Sequence, residues 1–217
     1  MLRPYLGSAA RGLWKLSTAG MPKGEHIVRY QMYKAIQRQA SGVQFGSRVL
    51  SISHSGTLCS VLGTPESSTS EANYPEQNVC NLSLPSDTYS AVISDQVFEH
   101  ISCTPECAVN EVYRVLAPGG IAVHTTCFLI PYHGSRDFND VTNGDYWRFT
   151  PSGLQLLHQR YSRVIAADGW GNPLMPLIGG LGLTWMPVPE VSWHPLNKLA
   201  RFNRMSYASV VWVVAQK

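Results

Sequence analysis

The sequence predicts an α/β protein with a Rossmann-like, doubly wound sheet of seven strands, mostly parallel and with an antiparallel last strand. Two observations predict this fold. Short apolar runs of strand character alternate with segments of helical periodicity, and Gly-rich turns join them. The last two apolar runs have no helical crossover of ordinary shape between them, so the final strand is expected to be antiparallel to its neighbour.

The first half of the chain alternates helix and strand. Gly42 and Gly46 end the first periodic segment, and a tight turn follows the first apolar run. The continuous apolar run SAVIS is typical of a strand that is buried on both faces. The elements predicted here are, in order, a helix at 25–41, a strand at 48–53, a short helix at 58–63, a loop or weak strand at 64–73 and a strand at 90–94.

The second half continues the alternation. Pro118, Gly119 and Gly120 stop one helix, and Thr150 is placed to cap another whose first turn contains a proline. Residues 169–207 are rich in Gly, Pro and Trp and show little periodicity. The predicted elements are a helix at 106–116, a strand at 121–128, a long loop at 131–150, a helix at 151–161, and strands at 163–168 and 209–215.

Composition limits the class of protein. The net charge of +3 is too small for a nucleic-acid-binding surface. No apolar stretch reaches the roughly 18 residues of a membrane span. Residues 1–24 contain four basic residues and no acid, which is faintly like a transit peptide, but we favour an N-terminal helical segment packed on the domain.

The cysteines indicate a reducing compartment. There are five of them, an odd number, and none forms the paired CxxC spacing of a zinc site. We therefore expect reduced thiols, no metal and a cytoplasmic location.

Four pieces of sequence, in this order along the chain, carry a resemblance to a known family. Residues 82–101 read LSLPSDTYSAVISDQVFEHI and residues 111–120 read EVYRVLAPGG. Residues 145–154 read DYWRFTPSGL, and the chain ends WVVAQK. This set resembles the class I S-adenosylmethionine-dependent methyltransferases of the type 11 group, and within it a subgroup with a DYWRFTPEGL signature. The resemblance covers residues 43–217.

The resemblance implies a division of labour along the chain. We expect a single methyltransferase-like domain over residues 1–217. It would consist of a helical segment (1–42), a cofactor-binding half (43–130) and a substrate-side half (131–217). S-adenosylmethionine would be the cofactor and S-adenosylhomocysteine the product. The residues expected to bind it are Ser51, Ser53, His54, Ser55, Gly56, Glu71, Asn78, Val79, Asp95 and Gln96.

The cofactor loop departs from the family pattern. Ser51 stands where the family has an acid, and Ser53 and Ser55 stand where it has glycines, so that Gly56 alone remains. The loop can still wrap a cofactor provided that none of the serines needs a positive φ. Asn78 replaces the acid beside the adenine but keeps hydrogen-bonding capacity.

Two further positions concern acids of the family pattern: one acid is replaced, and the carboxylate for the ribose must be chosen between two glutamates. Ser90 replaces another acid of the family pattern. Glu71 is favoured over Glu76 as the carboxylate that holds the ribose hydroxyls.

His133 is the best candidate for a general base, and Asp145 is the second candidate catalytic residue. His133 follows the fifth predicted strand, at the edge of the sheet where ligands bind, and an imidazole can accept a proton near neutral pH. The alternative, in which His133 only stabilises the loop, is given equal weight. The segment 145–149 also has a structural alternative, in which Trp147 and Phe149 anchor the core and Asp145 pairs with Arg148. The residues expected to bind substrate are Tyr132, Tyr146, Trp147, Arg148, Trp170 and Asn172.

The predicted function is S-adenosylmethionine-dependent methyl transfer to a small molecule or glycan, on oxygen. The alternative is a non-catalytic binding module that kept the fold and lost the cofactor. An NAD-dependent enzyme is disfavoured because GxGxxG is absent after the first strand. We expect an acceptor as the partner, neither a nucleic acid nor a membrane span, and a homodimer is a possible assembly.

Overall fold

The computed structural model describes residues 3–135, 137 and 144–217. No helix within these residues is both long and apolar enough to cross a membrane. The helices are α1 (Arg3–Ser17), α2 (Ile27–Gln39), α3 (Gly56–Val61), α4 (Pro105–Val115), α5 (Pro151–Leu157), α6 (Met175–Gly180) and α7 (Pro195–Arg201). The strands are β1 (Lys23–His26), β2 (Val49–Ile52), β3 (Thr69–Ala72), β4 (Tyr89–Asp95), β5 (Leu116–Cys127), β6 (Arg163–Gly171), β7 (Pro187–Pro189) and β8 (Ala208–Gln216).

The chain divides into two compact units. The first unit comprises residues 1–35 and 169–210, and the second comprises residues 36–168 and 211–217. In the first unit, β1 and β7 form an antiparallel two-stranded ribbon. The expected single domain over residues 1–217 stays a prediction.

A six-stranded sheet with the order β3-β2-β4-β5-β8-β6 contains the site. Strand β2 pairs in parallel with β3 and β4, and β4 pairs in parallel with β5. Seven strands were predicted for this sheet, and the described residues supply six. The α/β class and the mostly parallel arrangement are as predicted.

Strand β8 runs against its neighbour. The Lys217 N–H donates to the Gly120 carbonyl at 2.8 Å, and the Gly119 N–H donates to the Lys217 carbonyl at 3.2 Å. The end of β8 therefore lies at the beginning of β5. Two strands that pair along their lengths can meet in this way only if they are antiparallel.

Local sequence explains the elements around the site. Strands β2 and β8 are almost entirely buried, which is why they read as continuous apolar runs. Helix α4 buries Ala108, Val112 and Val115 on one face. The Thr150 hydroxyl accepts from the Gly153 N–H at 3.0 Å and caps α5, as the sequence predicts.

The structure decides two segments that the sequence left open or missed. Residues 69–72 form β3 because they pair with β2, which resolves the choice between loop and strand. Ribbon strand β1 was not predicted, since Lys-Gly-Glu-His has no alternation of apolar residues, and only its pairing with β7 makes it a strand.

One cysteine pair corrects the expectation of reduced thiols. Cys80 and Cys103 form a disulfide, with Cα atoms 6.0 Å apart, while Cys59, Cys107 and Cys127 are free thiols. Residues far apart in the chain meet here, so their spacing gave no signal. The cytoplasmic location and the homodimer stay predictions, and the disulfide removes one premise of the first.

Two buried histidines make the second unit sensitive to acid. His124 and His158 are fully buried, with ring centroids 5.4 Å apart. Burial, and to a lesser extent the neighbouring His158, lowers the pKa of His124 well below its usual value. Burial lowers the pKa of His158 to about 4.

We expect the free energy of unfolding to fall as the pH drops from about 6.5 towards about 4. In the unfolded chain these histidines are protonated near pH ~6.5. In the folded chain their pKa values are lower, so they stay neutral until the pH falls further. Each histidine contributes about 1.4 kcal/mol per pH unit to the slope. Urea unfolding over this range should show a shallower slope for His158→Gln than for the parent chain. His54→Gln, at an exposed position, is the control, and equal slopes for all three proteins would contradict the assignment.

Candidate active site

The carboxyl ends of the parallel strands meet at one edge of the sheet. Ile52 is in register with Ser94, and Asp95 with Thr125. Ser55 joins two of these ends, because its hydroxyl donates to the Ile52 carbonyl and accepts from the Asp95 N–H at 2.8 Å. This is the edge where ligands bind in open α/β sheets.

The serine-rich loop keeps a glycine-like backbone without the glycines. Ser53 and His54 have φ of 50° and 63°, in the left-handed region that glycine adopts easily. Each costs roughly 1–2 kcal/mol in this conformation. The His54 N–H donates to the Asn73 side chain at 2.9 Å, which helps to hold the turn. The condition that no serine adopts a positive φ is therefore not met at Ser53.

Gly56 and Glu71 face each other across a gap. A Cβ added at Gly56 would lie 3.8 Å from Glu71 Oε1 and would meet no other atom within 4 Å. Protein atoms leave this space open, and the Glu71 side chain is exposed at the end of β3. A carboxylate beside an open backbone position is suited to a vicinal diol, so these two residues fit the ribose of the expected cofactor.

A cavity of about 240 Å³ opens at the same edge of the sheet. Its volume is below the roughly 300–1,000 Å³ of sites that enclose a whole drug-sized ligand, so it fits a part such as the adenine. Four of the predicted cofactor residues line it: Ser53, Asn78, Val79 and Gln96. The other lining residues were not among the predicted site residues, and they are Tyr74, Gln77, Val97, His100, Ile101 and Ser102. Their positions directly after β3 and β4 are the signal that could have found them.

Three other predicted cofactor residues are buried, and two of them, Ser55 and Asp95, link neighbouring strands. Ser51 is buried within β2, beside Cys59. Asp95 is buried and accepts from the Thr125 hydroxyl at 2.6 Å, and Ser55 makes the link described above. Asn78 Oδ1 is used locally, since it accepts from the Cys80 N–H at 2.9 Å.

His133 and Asp145 are brought together, as are Asp145 and Arg148. The Asp145 carboxylate accepts a two-pronged contact from the Arg148 guanidinium and a 2.9 Å hydrogen bond from the His133 N–H. His133 Nδ1 lies 3.3 Å from Asp145 Oδ2, and the His133 side chain is 35% exposed. The His133 ring also contacts the ring of His100, a cavity residue, with centroids 5.1 Å apart.

Asp145 stays ionised in this setting. Burial alone would raise the pKa of its carboxyl, but the hydrogen bonds from Arg148 and from the His133 backbone, together with the charges of both residues, lower that pKa overall. The same hydrogen bond raises the pKa of Arg148. The result is an ionised carboxylate, paired with Arg148, next to the His133 imidazole.

Glu99 is a buried carboxylate near the site and was not among the predicted site residues. It accepts from the Thr126 hydroxyl at 2.9 Å and from the Cys127 thiol at 3.2 Å. Burial, then the nearby Glu99, raises the pKa of the Cys127 thiol, so that it remains a donor. With its amide nitrogen facing Glu99 and its amide oxygen facing the Thr126 N–H, Gln96 donates to Glu99 Oε1 at 3.2 Å.

The DYWRF segment clamps the chain that follows β4. The Tyr146 N–H donates to the Glu99 carbonyl at 2.7 Å, and Trp147 Nε1 donates to the Ile101 carbonyl at 2.9 Å. Trp147 thus anchors a cavity wall, while Tyr132 and Tyr146 are 54% and 47% exposed. Of the predicted substrate residues, these two tyrosines are the ones that offer aromatic surface.

Trp170 and Asn172 lie in the first unit and are fully buried there. The Asn172 amide donates to the Leu199 and Phe202 carbonyls and accepts from the Leu174 N–H. The Asn172 amide is used in the packing of that unit and both side chains are fully buried, so we leave both out of the proposed substrate site.

Within the described residues, two groups of side chains have metal-ligand chemistry. The ligand atoms of Glu99, Cys127 and His133 lie within 4.8 Å of one another, as do those of His100, His133 and Asp145. Arg148 already forms an ion pair with Asp145, and its positive charge opposes the binding of a cation by His100, His133 and Asp145.

Comparisons with known proteins agree with this geometry. Residues 35–124 match the model of the methyltransferase domain family. A search of the curated proteins gives no significant match.

Solved structures share the fold at low identity. The [4+2]-cyclase SpnF is 12% identical, with 100% of this chain and 94% of that chain covered and a TM-score of 0.51. The MccD protein is 11% identical, with 87% and 97% covered and a TM-score of 0.51. Phosphoethanolamine N-methyltransferase 2 of Haemonchus contortus, in complex with S-adenosyl-L-methionine, is 12% identical, with 94% and 56% covered and a TM-score of 0.51.

Three observations indicate the same fold: the family match, the strand order, and the position of the site at the carboxyl edge of the sheet. A methyltransferase domain implies S-adenosylmethionine as its cofactor, and Gly56, Glu71 and the cavity fit that molecule. The subgroup with the DYWRFTPEGL signature stays a prediction. The chain therefore has the fold of class I S-adenosylmethionine-dependent methyltransferases, with a methyltransferase domain matched over residues 35–124.

Proposed function

We propose that this protein transfers a methyl group from S-adenosylmethionine to a hydroxyl of a small molecule or glycan. The observation that carries the proposal is the position of His133. Its imidazole is held against the buried carboxylate of Asp145 and contacts His100, which lines the cavity. A base is needed when the acceptor is a hydroxyl, because the hydroxyl must lose its proton as it attacks.

The contacts of His133 define its protonation. Nδ1 lies 3.2 Å from the Pro131 carbonyl and 3.3 Å from Asp145 Oδ2, and both of these atoms are acceptors. Nδ1 therefore carries the proton, and Nε2 is the atom that accepts one from the substrate. The Asp145 carboxylate faces Nδ1–H and so holds the imidazole in this tautomer and orientation.

The remaining groups hold and align the reactants. The cofactor supplies an electrophilic methyl group, and no covalent nucleophile is required from the protein. Glu71, beside Gly56, holds the ribose hydroxyls. Asn78 and Val79 line the cavity that takes the adenine ring. Such alignment contributes much of the acceleration of a two-reactant step.

Tyr132 and Tyr146 support an acceptor with a ring. Their faces are exposed, and flat apolar faces with a polar edge pack well against sugars and aromatic rings. The neighbours do not decide the acceptor, since one is named as an N-methyltransferase and another as a cyclase. The His133–Asp145 pair is what favours a hydroxyl.

Calorimetric titration with S-adenosylmethionine and S-adenosylhomocysteine is the first test. We expect micromolar binding of both. Transfer of labelled methyl to a panel of sugars and phenols should then reveal product with a new methyl ether. A folded sample that binds neither molecule would overturn the proposal, and labelled product confined to amines would overturn the assignment to oxygen.

A further inference from the structure

The first unit carries the positive charge of the chain. It holds nine Lys and Arg residues against two glutamates, a net charge of +7. The second unit holds eight Lys and Arg against twelve acids, a net charge of −4, and the two values give the +3 of the whole chain. A charge divided so unevenly indicates an anionic partner for the first unit.

Large apolar side chains are exposed around the C-terminal half of α1. Leu13 and Leu16 are 68% and 75% exposed, and their spacing of three residues puts them on one side of the helix. Trp185 is 73% exposed and Trp193 is 63% exposed. Single exposed apolar residues are ordinary, but four large ones within one unit, on α1 and on two segments hydrogen-bonded to it, are the observation from which we argue an interaction surface.

Two hydrogen bonds join the segments that carry the two exposed tryptophans to the same helix. Trp14 is buried and its Nε1 donates to the Pro187 carbonyl at 2.9 Å, which holds the segment just after Trp185 against α1. His194 Nε2 donates to the Ser17 carbonyl at 3.2 Å and holds the residue next to Trp193 at the helix end. We call this group the tryptophan–leucine patch: Leu13, Leu16, Trp185 and Trp193.

Basic residues flank the patch. Arg11 and Lys15 are exposed on α1, and Lys23 is exposed on β1, opposite Pro189 of the ribbon. Of the two glutamates in the unit, Glu190 already pairs with Lys34 at 2.9 Å. Tryptophan and leucine surrounded by lysine and arginine form the composition of surfaces that insert into the headgroup region of a membrane.

We propose that the first unit docks on the surface of anionic phospholipid membranes. The tryptophan–leucine patch enters the headgroup region, and Arg11, Lys15 and Lys23 lie against lipid phosphates. A nucleic acid also attracts basic residues, but the exposed leucines find no partner on a phosphate backbone, so lipid is the better match. This inference is independent of the proposed methyl transfer.

Cosedimentation of the full chain with vesicles tests the inference. We expect binding to phosphatidylcholine vesicles that contain phosphatidylglycerol, little binding without it, and weaker binding as salt is raised. Binding should shift the tryptophan emission to shorter wavelength. The double variant Trp185→Ser/Trp193→Ser should lose affinity about tenfold or more, as should Lys15→Glu/Lys23→Glu.

Matched controls lie in the second unit. Leu156→Ser changes a side chain that is 64% exposed, and Arg163→Glu reverses an exposed charge, so both should bind vesicles as the parent chain does. Equal binding by the tryptophan variant would overturn the inference, as would no binding to any vesicle. An oligonucleotide that binds the tryptophan variant normally but not the lysine variant would point to nucleic acid instead. None of these readouts uses the cofactor, so they do not depend on catalysis.

Discussion

His133→Ala is expected to lower kcat by about 10²–10⁴-fold, the usual contribution of a general base. Affinity for S-adenosylmethionine should stay within a factor of about two, because His133 lies outside the residues that line the cavity. The variant should fold, since the side chain is 35% exposed and its ring leaves no buried cavity. Single-turnover rates on the acceptor found by the screen, together with calorimetry of the cofactor, measure both quantities.

The pH profile separates a base from a structural histidine. The parent enzyme should lose activity on the acid side as the base is protonated, and this limb should be absent from the residual activity of the variant. Leu156→Ala, at an exposed position on α5, serves as the control for handling and folding. Full turnover by the His133 variant, or an unchanged acid limb, would remove the general-base role.

Gly56→Val is expected to weaken cofactor binding by roughly 10–100-fold, in line with the cost of overpacking a fitted site. The side chain would enter the gap between Gly56 and Glu71, where an added Cβ meets only Glu71 Oε1, at 3.8 Å. The apo protein should tolerate the change for the same reason. The expected signature is therefore a large loss of affinity with little change in Tm.

Calorimetry and thermal unfolding of the same sample check this result. Ser60→Val, an exposed position in the same short helix α3, is the matched control and should bind the cofactor normally. Glu71→Gln should also weaken binding, because it removes the charge proposed to accept from the ribose hydroxyls. Unchanged affinity in Gly56→Val would move the cofactor away from this loop.

Much of the architecture was present in the sequence. The run SAVIS identified β4, the cap at Thr150 identified α5, and the final apolar run identified β8. These signals are local: periodicity, caps and continuous apolar runs are fixed by neighbours in the chain. They also fixed the edge of the sheet at which Ser53 and Asn78 line a cavity.

The serine-rich loop shows where local reasoning reached its limit. The sequence located the loop and its one remaining glycine, Gly56. It could not show that Ser53 would adopt a positive φ, because that conformation is imposed by the pairing of β2 with β3 and by the bond from the His54 N–H to Asn73. Tertiary hydrogen bonds override the backbone preference of a single residue.

Only the tertiary structure brings together the side chains that we propose to act on the acceptor. Residues 131–150 have no period, so nothing in the sequence could place His133 against Asp145 or tie Tyr146 to Glu99. The disulfide between Cys80 and Cys103 and the pairing of β1 with β7 likewise join residues distant in the chain. Sequence pattern thus determined the order and type of the elements around the site. The contacts that make the site depend on chain closure over long separations, which carries no local signature.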